Sequence, residues 1–398
     1  MIMSEKFKLL SQKCAAVAVF RNLKRDRVVS ALMSIIAVPE NDLQQFLAAY
    51  SELIEALYQH GTNLSEYLLK IILEDENLYI VAKAQGKNID DYIEEAAEYE
   101  LEVFHELSLI NPQELAEAFG YGGFLPKWRT SDIDFIAEYH NRIENIGKYG
   151  YGRYSKYFMF ILKDGVAVPV KHPDAQKLSQ LYGYERERKA VIDNTLALLE
   201  GKPAQNVLLC GDAGTGKSST VKAIVNEFAD KGLRLIEITK EQLRDIPHII
   251  DSICKNPLKF ILFIDDLSFS CDDDCFGALK ATLEGSVSAR ADNIAIYATS
   301  NRRHLVKESF SDRDGDDIHR NDTIQQLISL SARFGLTVTF TKPNKSSYID
   351  IVKGIAEKYN IDIDEQLAIK AEAFALAGSG RSPRTAKQFV HSLVNSQS

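Results

Sequence analysis

The chain lacks any apolar run of the roughly 18 residues that a membrane-spanning helix needs, and its first apolar stretch, Ala15 to Phe20, gives way to charge after six residues. A soluble, cytoplasmic protein without a membrane partner is expected. Cysteine is scarce, with five residues scattered at positions 14, 210, 254, 271 and 275. An odd number in such an arrangement fits reduced thiols and argues against a disulfide framework. A basic surplus is missing too: 47 Lys and Arg against 56 Asp and Glu leave a formal charge of −9. That balance gives no general electrostatic grip on nucleic acid, although a local patch stays open. Internal repeats and low-complexity tracts are also absent. What the chain does have is 45% apolar residues over 398 positions, enough for about two or three domains with real cores.

From Ser4 to about Arg142 the apolar residues recur three or four apart, as in "DLQQFLAAYSELIEALYQ", which predicts helices. This region holds no phosphate loop, metal spacing or catalytic triad. Its acidic run "DDYIEEAAEYELEVFHEL" carries Tyr92, Ala96, Tyr99, Val103 and Leu107 as one apolar stripe, with a solvated face opposite. Composition shifts at "YGYGRYSKYFMFILKDGVAVPV", read as a linker with a short hairpin turning at "KDG". From Gln205 onward, the apolar strands "NVLLC", "LRLIEIT", "FILFID", "NIAIYA" and "LTVTF" alternate with helical segments. Such alternation implies a parallel sheet with right-handed crossovers and a ligand crevice at the carboxyl ends of its strands. After Pro343 three helical segments, near 346–358, 364–377 and 383–396, follow the sheet.

"LLCGDAGTGKSST" joins the first of these strands to a helix. Gly211, Gly214 and Gly216 leave the backbone free to turn successive amides around phosphate oxygens. Lys217 would reach the β- and γ-phosphates, Ser218 would ligate Mg²⁺, and the helix presents its positive dipole end. A second acid for the metal stands at the end of "FILFIDDL": Asp265 fits that role, and Asp266 is placed to polarise an attacking water or else to cap the next segment. Asn301, with Thr299 nearby in "YATSNRRHL", faces the same crevice and would bond the water or the γ-phosphate. Arg302 and Arg303 are open to a partner or to solvent. Arg333 precedes the last strand in "SLSARFGLTVTF", and Arg384 opens the last helix in "GSGRSPRTAKQF", with Arg381 as its competitor.

With these residues in order, the chain resembles AAA+ ATPases over roughly residues 160 to 396. Within that class, "LYGYERERKAVIDNTLALLEGKPAQNVLLCGDAGTGKSS", "IDDLSF", "LKATLEG", "ATSNRRHL" and "RFGL" are similar to a bacterial family named only as domain of unknown function 815. The resemblance implies an α/β fold: an AAA+ Rossmann-like parallel five-stranded sheet with a helical lid, preceded by a mostly α-helical amino-terminal region that it does not cover. With the periodicity and composition shift above, the expected division is amino-terminal helices at 1–145, a linker with a hairpin at 146–180, a nucleotide-binding core at 181–342 and a lid at 343–398. ATP and Mg²⁺ are the implied cofactors. ATP would contact Gly211, Asp212, Ala213, Gly214, Thr215, Gly216, Lys217, Ser218 and Ser219, with Gly183 and Tyr184, and Tyr182 beside them, against the base. Ser218 and Asp265 would hold the metal. Asp266 would act on water, Asn301 as sensor 1, Arg333 as arginine finger in a neighbour's site, and Arg384 as sensor 2. A homo-oligomeric ring or spiral of six subunits follows, with the amino-terminal helices recognising a protein client.

Two departures shape the expected activity. The strand acid pair is Asp-Asp where many AAA+ proteins carry Asp-Glu, so the alternative to a remodelling ATPase is an ATP-set switch or loader-like module with slow or gated hydrolysis. "TKEQLRDIPHIIDSICKNP" lacks the aromatic-hydrophobic-glycine pore motif, which argues against a threading unfoldase. Other patterns are set aside. "CDDDC" is a single CxxxC without further ligands, and "DRDGDDIHRNDT" has Asp317 and Thr323 where a calcium loop needs glycine and glutamate. "NKSS" at Asn344 has Ser347 where a guanine reader would carry aspartate.

Overall fold

Asp26, Asp42, Asn63, Asn77, Asp90, Asn111 and Asp134 each stand immediately before a helix and accept hydrogen bonds from amides of its first turn. Such caps satisfy donors that a helix leaves open and so cut the amino-terminal region into short pieces. A computed structural model describes residues 2–39, 41–267, 275–284, 291–301 and 332–397. They form two compact units, Met1–Lys156 and Tyr157–Ser398.

The first unit runs α1 (Ile2–Ala16), α2 (Arg27–Ala37), α3 (Leu43–Tyr58), α4 (Leu64–Glu74), α5 (Leu78–Ala84), α6 (Asp91–Ser108), α7 (Pro112–Ala118) and α8 (Phe135–Glu144). Two single turns, α9 (Ile146–Tyr149) and α10 (Arg153–Lys156), close it. Phe20 sits at its centre, edge-on to Phe104 and Tyr139. Helix α6 follows the expected stripe only in part: Val103 and Leu107 are buried and Ala96 packs on the core, but Ala97, Glu100, Leu101 and Phe104 are buried with them, while Tyr92 and Tyr99 are 81% and 48% exposed. Buried Glu100 has its own partners. Its carboxylate accepts the amides of Ala18, Val19 and Phe20 at 2.7, 3.1 and 2.9 Å, closing the turn after α1. Buried amides need acceptors, so a charge that hydropathy places outside is drawn into the core.

The second unit is a sheet with helices and a lid. Its strands are β1 (Met159–Lys163), β2 (Val166–Pro169), β3 (Val207–Gly211), β4 (Leu233–Ile238), β5 (Lys259–Ile264), β6 (Ile294–Ser300) and β7 (Leu336–Phe340), in the order β2-β1-β4-β5-β6-β3-β7. The five strands read from the sequence form a wholly parallel core, but the sheet has seven. The stretch read as a linker supplies the other two. Asp164 and Gly165 turn at φ 50° and 73°, a two-residue hairpin, and β1 then pairs parallel with β4. Pairing there covers an edge whose backbone groups would otherwise stay open.

Between the strands lie α11 (Glu185–Leu199), α12 (Lys217–Phe228), α13 (Ile246–Ile253) and α14 (Cys275–Glu284). The lid comprises α15 (Lys345–Glu357), α16 (Glu365–Ala377) and α17 (Pro383–Gln397), around Tyr348, Ile351, Val352, Phe389 and Val390. Among the described residues no helix is long and apolar enough to cross a membrane.

Candidate functional site

The order of the sheet fixes where a ligand can sit. The chain leaves β3 for β4, returns through β5 and β6 to β3, and then crosses to β7. Loops on either side of β3 therefore diverge, opening a crevice at its carboxyl end. A cavity of about 860 Å³ lies there, lined by the loop after β3, the ends of β5 and β6, and the lid.

The loop's close contacts explain its glycines. Gly211 has φ 128°, and a methyl on it would lie 2.1 Å from the Phe340 carbonyl oxygen, so only glycine lets β3 turn beside β7. Asp212 does not point into the cavity: its amide donates to Phe340 O at 3.0 Å and its carboxylate accepts the Lys342 amide at 2.9 Å. Thr215 Oγ1 donates to Asp212 O at 2.8 Å and closes the loop on itself. Ala213, Gly214, Thr215, Gly216, Lys217, Ser218 and Ser219 all line the cavity.

Lys217 Nζ, almost fully buried, donates to Gly211 O at 3.0 Å, Asp212 O at 2.7 Å and Asn301 Oδ1 at 3.0 Å. Burial lowers its pKa, against the pull of Asp212 and other nearby acids. Asn301 also donates from Nδ2 to Asp266 Oδ1 at 2.7 Å, so one amide bridges the lysine and the second acid. Asp266 has φ 52°, a left-handed conformation that aspartate tolerates better than most residues, and its amide donates to Thr299 Oγ1 at 2.9 Å. Asp265 Oδ1 accepts from Ser218 Oγ at 2.6 Å and Thr299 Oγ1 at 2.5 Å. Carboxylate and hydroxyl oxygens converging at a loop built for phosphate are a donor set that suits Mg²⁺.

The lid closes the other side. Ser382 caps α17 by accepting the Thr385 amide at 3.1 Å, Pro383 follows in the first turn, and the Arg384 amide donates to Gly214 O at 3.3 Å. Arg384, Lys387 and His391 line the cavity from one face of α17. Arg381 is engaged elsewhere, in a charged pair with Glu372 through Nε at 2.9 Å. Geometry thus separates two arginines that spacing left open.

At the apolar end, Tyr182 lines the cavity with Ile351 and Ile355 of α15. The Tyr184 side chain does not line it: the ring packs on Phe340 and the hydroxyl donates to Thr341 O at 2.7 Å. Gly183 is left-handed, its carbonyl taken by the Arg188 guanidinium. Sequence reading missed two further features. The segment 174–176 borders the cavity because Asn226 Nδ2 donates to Asp174 O and Gln176 O at 2.8 and 2.7 Å. Lys387 and His391 share the face of Arg384, at three and seven residues' spacing, and that periodicity was available as a signal.

Arg333 does not line this cavity and lies just before β7. Arg302, Arg303, Cys271 and the "DRDGDDIHRNDT" segment fall outside the described residues. Asn344 is a helix cap, accepting the Ser347 amide at 2.9 Å.

A parallel core ordered β4-β5-β6-β3-β7, a glycine-rich loop after β3, the strand between β6 and the edge strand β7, and a three-helix lid reaching that loop together define a P-loop fold of the AAA+ class. The chain belongs to the family described as protein of unknown function (DUF815), whose model matches residues 155–397. Among solved structures it is similar to RuvB, the Holliday junction branch migration motor of Thermotoga maritima, at 16% identity and a TM-score of 0.39. The match covers 55% of this chain and 64% of that one. Two variants of the same motor, a Thr-to-Val and an Arg-to-Ala substitution, match at 16% identity, the same coverage and TM-scores of 0.38. No curated protein matches the chain at a significant level.

Proposed function

We propose that the chain is a cytoplasmic ATP hydrolase that works between copies of itself and remodels a client held by its amino-terminal helices. The observation that carries this reading is the continuous run of contacts from Lys217 through Asn301 to Asp266, beside the Ser218–Asp265–Thr299 cluster. A phosphate-binding lysine, a metal-type oxygen set and a second carboxylate held beside them are what triphosphate hydrolysis requires in one place. Lys217 and the loop amides bind phosphate oxygens. Ser218 and Asp265 would hold Mg²⁺, which supplies positive charge against the charge developing on the phosphates. Asp266 orients the water and takes its proton, Asn301 fixes Asp266, and Arg384 carries the γ-phosphate's state to the lid.

Support for a shared site comes from Arg333. Gly211 pairs with Phe340 and Val207 with Leu336, so the start of β7, the edge strand, lies about 13 Å from the phosphate loop at ordinary strand rise, and Arg333 precedes that strand by three residues. From there it would serve a neighbour's nucleotide rather than its own. A ring or spiral of six subunits is the assembly this reading favours.

The test is ATP turnover per subunit across a wide range of protein concentration, beside ATP affinity. Turnover should rise with concentration, and Asp266→Asn should lose about 100-fold or more of it while still binding ATP. Turnover independent of concentration would rule out the shared site. A second reading, an ATP-set switch in which hydrolysis only resets the state, is favoured by the 2.7 Å tether of the short Asp266 side chain to Asn301. Near-zero turnover at every concentration in chain that binds ATP would select it.

A further inference from the structure

Glycine is a poor residue for the inside of a helix, yet Gly354 stands within the first lid helix, α15, three residues from its end. Helix preference alone argues for alanine there. What alanine would displace is an aromatic ring: a methyl at Gly354 would lie 2.3 Å from Cδ1 and 2.5 Å from Cε1 of Tyr182. Tyr182 belongs to the segment before α11, outside the lid, and its ring occupies the notch that the missing side chain leaves. The neighbouring contact has the same character. Gly183, at φ 72°, has no room for a methyl either, because Ile351 Cδ1 would be 2.9 Å away. Two glycines, one on each partner, thus let the segment and the lid helix approach more closely than side chains allow.

The same residues form the apolar wall of the cavity. Tyr182, Ile351 and Ile355 line it, while Lys217, Ser218, Asp265 and Asp266 belong to its polar end. A flat ring beside branched aliphatic side chains is a surface on which a purine base stacks, and an aromatic contact of this kind depends on ring position.

We infer that Gly354 is a positioning residue for base recognition: by leaving a notch in α15 it seats the Tyr182 ring where the nucleotide base stacks, and so ties base binding to the placement of the lid. This inference rests on reading the cavity as an ATP site. A methyl at 354 meets the side of a ring that can swing away, so the fold tolerates it, but the ring swings out of its place in the wall. The loss therefore falls on the base and spares the phosphates.

The experiment compares Mg·ATP with Mg·tripolyphosphate, which carries the phosphates and no base, by titration calorimetry on the full chain. Gly354→Ala should weaken ATP about tenfold and leave tripolyphosphate within about twofold of wild type. Its urea midpoint should equal or exceed that of wild type, since alanine favours helix. In a Tyr182→Ala background, already weakened for ATP, Gly354→Ala should add nothing, the signature of a residue acting through its neighbour. If Gly354→Ala binds ATP as wild type does, or weakens both ligands equally, the inference fails while the ATP reading stands. Wild-type chain that takes tripolyphosphate but discriminates against no base would instead remove the base site itself, and the inference with it.

Discussion

Arg381 and Arg384 are three residues apart at the start of α17, and their surroundings give them opposite duties. Arg381 is paired with buried Glu372, so its guanidinium is committed to tying the segment just before α17 to α16. Arg384 lines the cavity beside Gly214. Arg384→Ala is expected to cut turnover about 10- to 100-fold, the worth of one charge-assisted contact, with the melting temperature unchanged. Arg381→Ala should do the reverse, lowering the melting temperature because Glu372 loses its partner and leaving turnover of the folded chain near wild type. Steady-state kinetics beside thermal melts distinguish the two. Lys217 illustrates a second residue-scale effect. Burial depresses its pKa below 10.5, so between the folded value and 10.5 the unfolded chain binds more protons than the folded one. Stability must therefore rise with pH across that interval as the desolvated charge is relieved. The difference between wild-type and Lys217→Met urea midpoints, followed from neutral pH to about 10.5, should isolate this slope, and a flat difference would mean the ammonium is not desolvated.

Helices and strands carry a different kind of information. Strand β1 buries Met159, Phe160 and Leu162 and occupies the edge of β4, so the segment that joins the two units in sequence is part of the sheet that carries the glycine-rich loop. Removing the hairpin would bare an edge of a hydrophobic parallel sheet, an invitation to pair with other chains. Chain beginning at Tyr157 is accordingly expected to stay monodisperse at low concentration and to bind ATP, whereas chain beginning at Leu181 should aggregate on light scattering. Equal behaviour of the two truncations would mean that β1 and β2 are not needed to cover β4. The same scale accounts for α6. Apolar periodicity ran through Tyr92 and Tyr99, which stay exposed, whereas Glu100 is buried and its carboxylate accepts three amides after α1. Hydropathy counts side chains, and that demand came from backbone groups 80 residues away in sequence.

For the whole molecule, the decisive question is whether one chain contains a complete site. Lys217, Asp266, Asn301 and Arg384 gather in one unit, while Arg333 stands apart from their cavity. Arg333→Ala should therefore bind ATP within about threefold of wild type yet lose roughly three or more orders of magnitude in turnover, as removal of an arginine finger does. Mixing it with Lys217→Ala should restore part of the activity, because one mixed interface joins an intact loop to an intact arginine; no recovery would mean that each chain acts alone. Much of this was legible beforehand. The five core strands, the three lid helices, the phosphate loop and the Asp265, Asp266 and Asn301 positions follow from local chemistry: β-branched runs, glycine freedom, caps, and acids at strand ends. Their order along the chain sufficed to identify the AAA+ class. Tertiary structure alone decided which of Arg381 and Arg384 faces the cavity, that Tyr182 rather than the Tyr184 side chain bounds it, that the supposed linker joins the sheet, and that α6 buries a glutamate. Each of these depends on a partner distant in sequence: Glu372 nine residues before Arg381, Phe340 and Thr341 beside Tyr184, the open edge of β4, and the amides after α1. A sequence states what each residue is able to satisfy, and only the folded chain settles which of the competing demands lies within reach.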